Sequence, residues 1–223
     1  MDERVKLKSA DGFEMGAYVA RPEGEPVGGL VVIQEIFGVN HHIRNVADRF
    51  ANEGFFAVAP ALFDRIQPNF ETGYEGEERE AARAMMKLFD FDKGVADIAA
   101  AIDYAARETG KKVGVIGYCL GGSLAWLAAT RLNPAVAVGY YGGKIAAYAA
   151  EQPKAPVMLH FGIQDKGIPP ENVAKVQEAH PEVEIYWYDA GHGFSCDARA
   201  SYNEAATKEA LSRTLPFLKK HLA

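Results

Sequence analysis

The chain has 223 residues, of which 48% are hydrophobic, and a formal net charge of −6; these values predict one domain over residues 1–223. It carries neither a basic cluster nor an apolar run of membrane-spanning length, so we expect no nucleic-acid or membrane partner. Two cysteines and no apolar N-terminal leader favour a cytoplasmic protein with free thiols. The modest charge favours a small molecule as ligand, and we expect a monomer or small homo-oligomer.

The first third of the chain predicts an antiparallel edge followed by buried strands. Residues 4–20 hold two alternating segments around the Asp11-Gly12 turn, which is typical of a β-hairpin. Residues 29–33 and 55–59 are continuous apolar runs, as in strands buried on both faces, and a helix is predicted between them over residues 41–53. This order of strand, helix and strand indicates a parallel sheet with helical crossovers.

The middle of the chain predicts a loop and two helices. Residues 62–76 are irregular, and long loops of this kind usually cover a site in compact α/β domains. A highly charged helix follows from Gly76. Apolar residues at helical spacing then predict a core-facing helix over residues 92–109, with Gly110 as its C-cap.

The second half of the chain repeats the apolar strands. They are predicted from Val113 and over residues 135–139, 156–161 and 182–188, with a closing helix over residues 198–221. We therefore predict an α/β fold with a mostly parallel central sheet of about seven or eight strands and helices on both faces.

A glycine turn carries a cysteine between the strand at Val113 and the next helix. Gly117 and Gly121 stand two residues before and two residues after Cys119, in the pattern Gly-x-Cys-x-Gly of a nucleophile elbow. The glycines are needed because a tight strand-to-helix turn strains its central residue and leaves no room for neighbouring side chains. Alone, the motif also fits a small core cysteine or a phosphate-binding turn.

Three reactive side chains follow three predicted strands in the order nucleophile, acid and histidine. Cys119, Asp165 and His192 each stand just after a strand, and in doubly wound sheets the carboxyl ends of the strands form the site. This chain order is that of α/β-hydrolases. We therefore predict a triad in which His192 moves the thiol proton of Cys119 and Asp165 orients the imidazole. Asp189 follows its strand too closely to take that part.

The oxyanion formed by thiolate attack needs two backbone donors. We predict the N–H groups of Leu120, directly after the nucleophile, and of Ile36, in the loop after residues 29–33. Glu35 stands beside Ile36; its sequence context alone favours a solvated loop residue, with control of the thiol proton as the alternative.

The remaining histidines predict no metal site. His160 lies within an apolar strand, as a hydrogen-bonded core histidine does, whereas His41 and His42 open a helix and are interpreted as caps or solvated residues. No grouping of histidine, cysteine and carboxylate along the chain has metal-ligand spacing.

Five motifs of the chain are distinctive: residues 34–40 (QEIFGVN), 115–122 (VIGYCLGG), 139–142 (GYYG), 161–169 (FGIQDKGIP) and 187–194 (WYDAGHGF). Through these motifs the chain closely resembles the dienelactone hydrolase (carboxymethylenebutenolidase) family of α/β-hydrolases over nearly its whole length. The resemblance implies hydrolysis of dienelactone to maleylacetate, in bacterial chloroaromatic breakdown, by a Cys-His-Asp triad without metal or organic cofactor. For Glu35 it implies a carboxylate that holds the thiol at rest until substrate displaces it, and then takes the thiol proton.

The resemblance also implies that two arginines bind a substrate carboxylate. Arg79 matches the first, but Cys196 occupies the usual position of the second, so Arg199 or Arg83 would replace it. The alternative for each arginine is a surface side chain paired with nearby glutamates. The predicted substrate-binding residues, for a carboxylate-bearing lactone or ester, are Arg79, Arg199, Phe37, Arg83 and Tyr202.

Other functions remain open from the sequence. A carboxylesterase or thioesterase of the same family would share the triad and act on another acyl substrate. A non-enzymatic binding or redox-sensing protein would use Cys119 only as an oxidisable thiol. Nucleotide binding is disfavoured because no acidic residue ends the strand after the glycine turn.

Overall fold

The computed structural model describes residues 3–223. Within this range the strands are β1 (Glu3–Lys8), β2 (Glu14–Ala20), β3 (Gly28–Ile33), β4 (Phe55–Pro60), β5 (Val113–Tyr118), β6 (Ala137–Tyr140), β7 (Val157–Gly162) and β8 (Glu184–Tyr188). The α-helices of the described range are α1 (His41–Asn52), α2 (Gly76–Leu88), α3 (Phe91–Thr109), α4 (Leu120–Arg131), α5 (Pro170–Ala179) and α6 (Glu204–Leu222).

The strands of residues 3–223 form one eight-stranded sheet in the order β1-β2-β4-β3-β5-β6-β7-β8. Strand β2 runs antiparallel to β1 and β4, and every later pair is parallel. The predicted hairpin edge and mostly parallel sheet are therefore confirmed. No helix among the described residues is long and apolar enough to cross a membrane.

Helices cover both faces of the sheet. A side chain added to Gly28 would lie 3.0 Å from Leu222 of α6, and one added to Gly29 would lie 3.0 Å from Ala105 of α3. Since successive residues of a strand point to opposite faces, α6 and α3 pack on opposite sides of β3. This coverage explains why β3, β4, β5 and β7 are buried along their whole length and appear in the sequence as continuous apolar runs.

The strand order reverses at β3, which has β4 on one side and β5 on the other. Open α/β sheets bind ligands at the carboxyl ends of the strands that flank such a switch point. Ile33 pairs with Gly117 across the β3 and β5 ladder, so the segments that follow these residues leave the sheet side by side. This edge of the sheet is therefore the expected place of a site.

Two features of the C-terminal third differ from the sequence prediction. Helix α6 begins at Glu204 rather than at residue 198, because the Asn203 side chain accepts the N–H of Ala206 at 3.0 Å and caps the helix. Residues 196–202 form tight turns instead. Helix α5 was missed; it begins with Pro170, which suits the first turn of a helix.

Candidate active site

Cys119 occupies the strained bend between β5 and α4. Its φ of 56° and ψ of −110° are unusual for a residue with a side chain, and its N–H donates to the carbonyl of Tyr140 at 3.0 Å. A Cβ on Gly117 would lie 1.9 Å from the carbonyl oxygen of Gly121, and one on Gly121 would lie 2.3 Å from that of Ile33. Both glycines are thus required by direct backbone contact.

The start of α4 supplies unpaired donors beside the sulfur. Leu120 is the first residue of the helix and is buried, and the first N–H groups of a helix have no acceptor within it. These groups carry the positive end of the helix dipole, which stabilises nearby negative charge. The bend therefore suits an oxyanion next to Leu120.

The loop that carries Ile36 packs against the start of this helix. A Cβ on Gly121 would meet the carbonyl oxygens of both Ile33 and Gln34, so α4 abuts the segment after β3. The Gln34 side chain fixes that segment, since its Nε2 donates to the carbonyl of Glu35 at 3.1 Å and its Oε1 accepts the N–H of Leu62 at 3.0 Å. Ile36 is half-buried in the loop so held.

His192 lies between a carboxylate and the thiol. Its Nδ1 is 2.6 Å from Oδ2 of Asp165, and because a carboxylate only accepts, Nδ1 carries the proton. The other carboxylate oxygen accepts the N–H of Gly167 at 2.8 Å. Burial disfavours the imidazolium, but hydrogen bonds from His192 to Asp165 and to Cys119 outweigh burial and raise the pKa of His192 to about 10. The Asp165 carboxylate therefore supports the imidazolium that forms when His192 accepts a proton.

The neighbouring carboxylates are distinguished by their partners. Burial alone would raise the pKa of Asp165, but the hydrogen bond from His192 outweighs it and the pKa is lowered, so Asp165 stays ionised. Asp189 instead accepts from Nε2 of Gln164 at 2.7 Å. The structure thus pairs His192 with Asp165 and engages Asp189 elsewhere.

Glu35 is completely buried, so its interpretation as a solvated loop residue was wrong. It follows a buried strand at the switch point, and the residues around it exclude water. Oε1 lies 3.5 Å from Nη1 of Arg199, and among residues 3–223 its Oε2 has no hydrogen-bond partner. The carboxylate also lies close to His42 and Cys196, with one ligating atom of each residue within 4.8 Å of the others.

The histidines outside the predicted triad behave differently from one another. His160 is confirmed as a core histidine, with Nδ1 2.8 Å from the Tyr188 hydroxyl and Nε2 3.0 Å from Thr214, and burial lowers its pKa to about 3. His41 is exposed, as expected. His42 is buried and bonds Asp197 at 2.9 Å, so its interpretation as a cap or solvated residue was wrong.

The irregular loop before α2 lies over the segment that follows β3. The N–H of Thr72 donates to the carbonyl of Phe37 at 3.1 Å, and Nδ2 of Asn40 donates to the hydroxyl of Tyr74 at 3.0 Å. The ring of Tyr74 packs on that of Phe37, with centroids 4.4 Å apart. Tyr74 was not singled out in the sequence, where only the length of the loop indicated that it covers a site.

The predicted substrate-binding residues separate into two groups. Arg79 and Arg199 line a cleft of about 470 Å³ together with Asp165 and His192, and Phe37 lies under the Arg199 guanidinium at 5.8 Å. Arg83 pairs with Glu80 on the exposed face of α2.

Tyr202 is also exposed, and its backbone N–H donates to the carbonyl of Arg199 at 3.0 Å. Arg83 therefore fits the surface alternative, whereas Arg79 and Arg199 line the cleft beside His192.

Tyr141 is a further residue of this region that the sequence did not identify. Its ring lies 5.1 Å from that of His192, and its backbone is held by an N–H bond to the carbonyl of His160 at 2.8 Å. Burial, and then the charge of Glu35, raise the pKa of Tyr141 well above its ordinary value, so its hydroxyl stays protonated. It forms an apolar wall beside the imidazole.

Comparisons with known proteins identify the family to which the chain belongs. The model of the dienelactone hydrolase family matches residues 15–222. The carboxymethylenebutenolidase of Pseudomonas putida is 36% identical over 227 aligned positions, which cover 98% of this chain and 96% of the relative.

Solved structures of dienelactone hydrolase-like proteins have the same fold as this chain. The crystal structure of a provisionally identified dienelactone hydrolase from Klebsiella pneumoniae has a TM-score of 0.82 and 28% identity, covering 97% of this chain and 98% of the other. A dienelactone hydrolase-like promiscuous phosphotriesterase from metagenomic libraries is similar in fold, with a TM-score of 0.76 at 20% identity, covering 100% of this chain and 99% of the other.

Proposed function

Because the chain belongs to the dienelactone hydrolase family and is a carboxylic ester hydrolase, we propose that it opens an enol-lactone such as dienelactone to maleylacetate. The proposed route is a cysteine acyl-enzyme formed by Cys119, His192 and Asp165. The observation that carries it is the 2.6 Å contact of His192 with Asp165, on an imidazole that also hydrogen bonds the Cys119 thiol at the elbow.

Acylation begins with proton transfer from sulfur. His192 takes the thiol proton of Cys119, and the thiolate attacks the lactone carbonyl carbon. The N–H groups of Leu120 and Ile36 hold the oxyanion of the tetrahedral intermediate. When this intermediate collapses, the ring C–O bond breaks, and the released enolate oxygen takes the proton from His192 while the acyl carbon stays bound to sulfur.

Deacylation uses the same groups in reverse. His192 removes a proton from water as the water oxygen attacks the thioester carbon, and it returns that proton to sulfur when the C–S bond breaks. The opened lactone keeps its oxygen attached to the acyl group. Because that oxygen stays tethered to the acyl group, we expect it to help activate the water, which favours a lactone over an ester whose alcohol departs.

Glu35 controls the thiol in this proposal. It is buried, and its Oε1 lies 3.5 Å from Nη1 of Arg199. A substrate carboxylate that binds Arg199 competes for the guanidinium, which releases Glu35 to approach the thiol, accept its proton and pass that proton to His192. The substrate would thus activate the nucleophile that attacks it.

The proposed substrate bears a carboxylate because Arg79 and Arg199 both line the cleft beside His192. Such a substrate fits a role in the breakdown of aromatic compounds. We place the reaction in the cytoplasm, since Cys119 and Cys196 are both free thiols and a reducing compartment preserves them.

A substrate panel with a nucleophile variant tests the proposal. We expect cis- or trans-dienelactone to be turned over far faster than p-nitrophenyl acetate or a simple thioester, and Cys119→Ser to lose about 10³-fold or more in kcat. Mass spectrometry of quenched wild-type enzyme should show an acyl adduct on Cys119. Faster turnover of the simple ester would favour a general carboxylesterase, and Cys119 that is alkylated without activity on any acyl substrate would favour a thiol sensor.

A further inference from the structure

A second cluster of reactive side chains lies beside the proposed catalytic groups. Glu35, His42 and Cys196 each offer one ligating atom, and these three atoms lie within 4.8 Å of one another. The three residues are 0%, 2% and 0% exposed. They come from the turn after β3, the first turn of α1 and the turns before α6, so only the tertiary fold brings them together.

Two polar atoms of this cluster are buried without partners in the described part of the chain: Oε2 of Glu35 and Nε2 of His42. Buried polar atoms are nearly always satisfied, so an unsatisfied pair in one cluster needs a reason. The Nδ1 atom of His42 lies 2.9 Å from a carboxylate oxygen of Asp197 and therefore carries the ring proton. The Nε2 atom consequently has a free lone pair, the state of a metal-ligating histidine supported by a carboxylate.

We propose that Glu35, His42 and Cys196 bind one divalent transition-metal ion of the zinc class, through Oε2, Nε2 and Sγ. Oxygen, nitrogen and sulfur together select Zn²⁺ or a similar ion over Mg²⁺ and Ca²⁺, which take oxygen ligands. Three protein ligands leave a fourth tetrahedral position for water.

The charges of the cluster balance around such an ion. The carboxylate of Glu35 and the thiolate of Cys196 neutralise a dication, and Cys196 gives up its thiol proton to solvent as the metal–sulfur bond forms. Arg199 lies on Oε1 of Glu35, the oxygen that the metal would not use. The negative charge of Asp197, on the far side of His42, offsets the charge of Arg199.

The required movement is small. Ligand atoms around a tetrahedral Zn²⁺ are about 3 to 4 Å apart, given bond lengths of about 2.0 to 2.3 Å. The ligand atoms of Glu35, His42 and Cys196 lie within 4.8 Å of one another, so each needs to move towards the ion by about 1 Å to reach that spacing. The residues are supplied by turns and a helix end, where side chains can shift without disturbing the sheet.

Cobalt substitution tests the site directly. Metal-free full-length protein is titrated with Co²⁺, and separately with Zn²⁺ followed by elemental analysis after gel filtration. We expect one equivalent of metal and a near-ultraviolet thiolate-to-cobalt charge-transfer band. Cys196→Ser should abolish the band, and His42→Gln should weaken binding at least about 10-fold, as loss of a metal ligand or its support does.

Two controls separate this site from its neighbours. His41→Gln changes the exposed histidine adjacent to His42, and Cys119→Ser removes the other thiol; both variants should bind Co²⁺ and show the band as wild type does. Three results would overturn the proposal. They are a charge-transfer band that persists in Cys196→Ser, a band that is lost in Cys119→Ser, and folded wild-type protein that binds no stoichiometric metal. Circular dichroism of each metal-free variant establishes its fold, and Cys196→Ala replaces Cys196→Ser should the serine variant fail to fold. The readout is binding, so it is independent of the lactonase activity, which a bound metal would suppress by holding Glu35 away from the thiol.

Discussion

The guanidinium of Arg199 packs against the backbone of Gly193, so closely that a Cβ on Gly193 would lie 2.4 Å from Nη1. Gly193 has a φ of 76° and directly follows His192. The absence of a side chain at this glycine therefore lets an arginine from the turns before α6 reach the cleft beside the imidazole. This contact places the proposed carboxylate-binding group next to the proposed general base.

We expect Gly193→Ala to displace Arg199 and to raise KM for dienelactone by about 10-fold or more, the value of a lost charge-assisted hydrogen bond. The effect on a neutral ester should be smaller. Gly191→Ala is the matched control, because a Cβ on Gly191 meets no atom of residues 3–223 within 4 Å. Steady-state kinetics of both variants on both substrates check this; equal effects on acidic and neutral substrates would mean that only the strained backbone of residue 193 matters.

Arg79 and Arg83 offer a second matched pair on one helix. Arg79 lines the cleft with His192, whereas Arg83 pairs with Glu80 on the exposed surface. We expect Arg79→Gln to lower kcat/KM for an acidic lactone by about 10- to 100-fold, and Arg83→Gln to leave it unchanged, since exposed ion pairs contribute little. Comparable losses in both variants would remove the assignment of Arg79 to substrate binding.

The fold was largely predictable because its strands and helix ends are marked by residues that lie close together in the sequence. Buried parallel strands appear as apolar runs, and Gly110 at a φ of 64° ends α3 where its spacing indicated. The error at the start of α6 has a physical cause. Residues 198–203 have the composition of a helix, but their backbone N–H groups bond within tight turns, as Tyr202 does to the carbonyl of Arg199. Asn203 then caps the helix, so its first turn begins at Glu204.

The candidate site was predictable only where topology fixes position. Asp165 and His192 follow neighbouring parallel strands, so their approach could be anticipated from strand order. The burial of Glu35 could not, because it depends on where other segments pack. The proximity of His42 to Cys196 could not be predicted either, because the two residues are distant along the chain and show no metal-ligand spacing.

The raised pKa of His192 predicts a pH-dependent stability. Burial opposes its charge, but the bonds to Asp165 and Cys119 dominate, so the folded pKa is about 10 against an ordinary 6.5. Because the pKa of His192 is higher in the folded state, its protonation stabilises the folded protein fully below pH 6.5. This contribution to the free energy of unfolding is lost as the pH rises through about 10. We expect His192→Gln to lower the free energy of unfolding most below pH 6.5 and progressively less towards pH 10.

Urea unfolding at several pH values measures this difference. His221→Gln is the control, because burial, and then the charge of Lys220, lower the pKa of His221. Its contribution should therefore not decline between pH 6.5 and 10. A constant difference between wild type and His192→Gln across that range would contradict the ionic pairing of His192 with Asp165 and Cys119.

Asp165→Asn should separate orientation of the imidazole from its mere presence. An asparagine amide can donate to Nδ1, which would leave the ring proton on Nε2, the nitrogen that must accept from the thiol. We expect kcat to fall by about 10⁴-fold while KM changes little. Asp189→Asn alters the carboxylate that accepts from Gln164 at 2.7 Å, and its kcat should stay within a few-fold of wild type. Steady-state turnover of dienelactone by the two variants decides the matter: equal losses, or near-normal turnover by Asp165→Asn, would show that Asp165 does not orient His192.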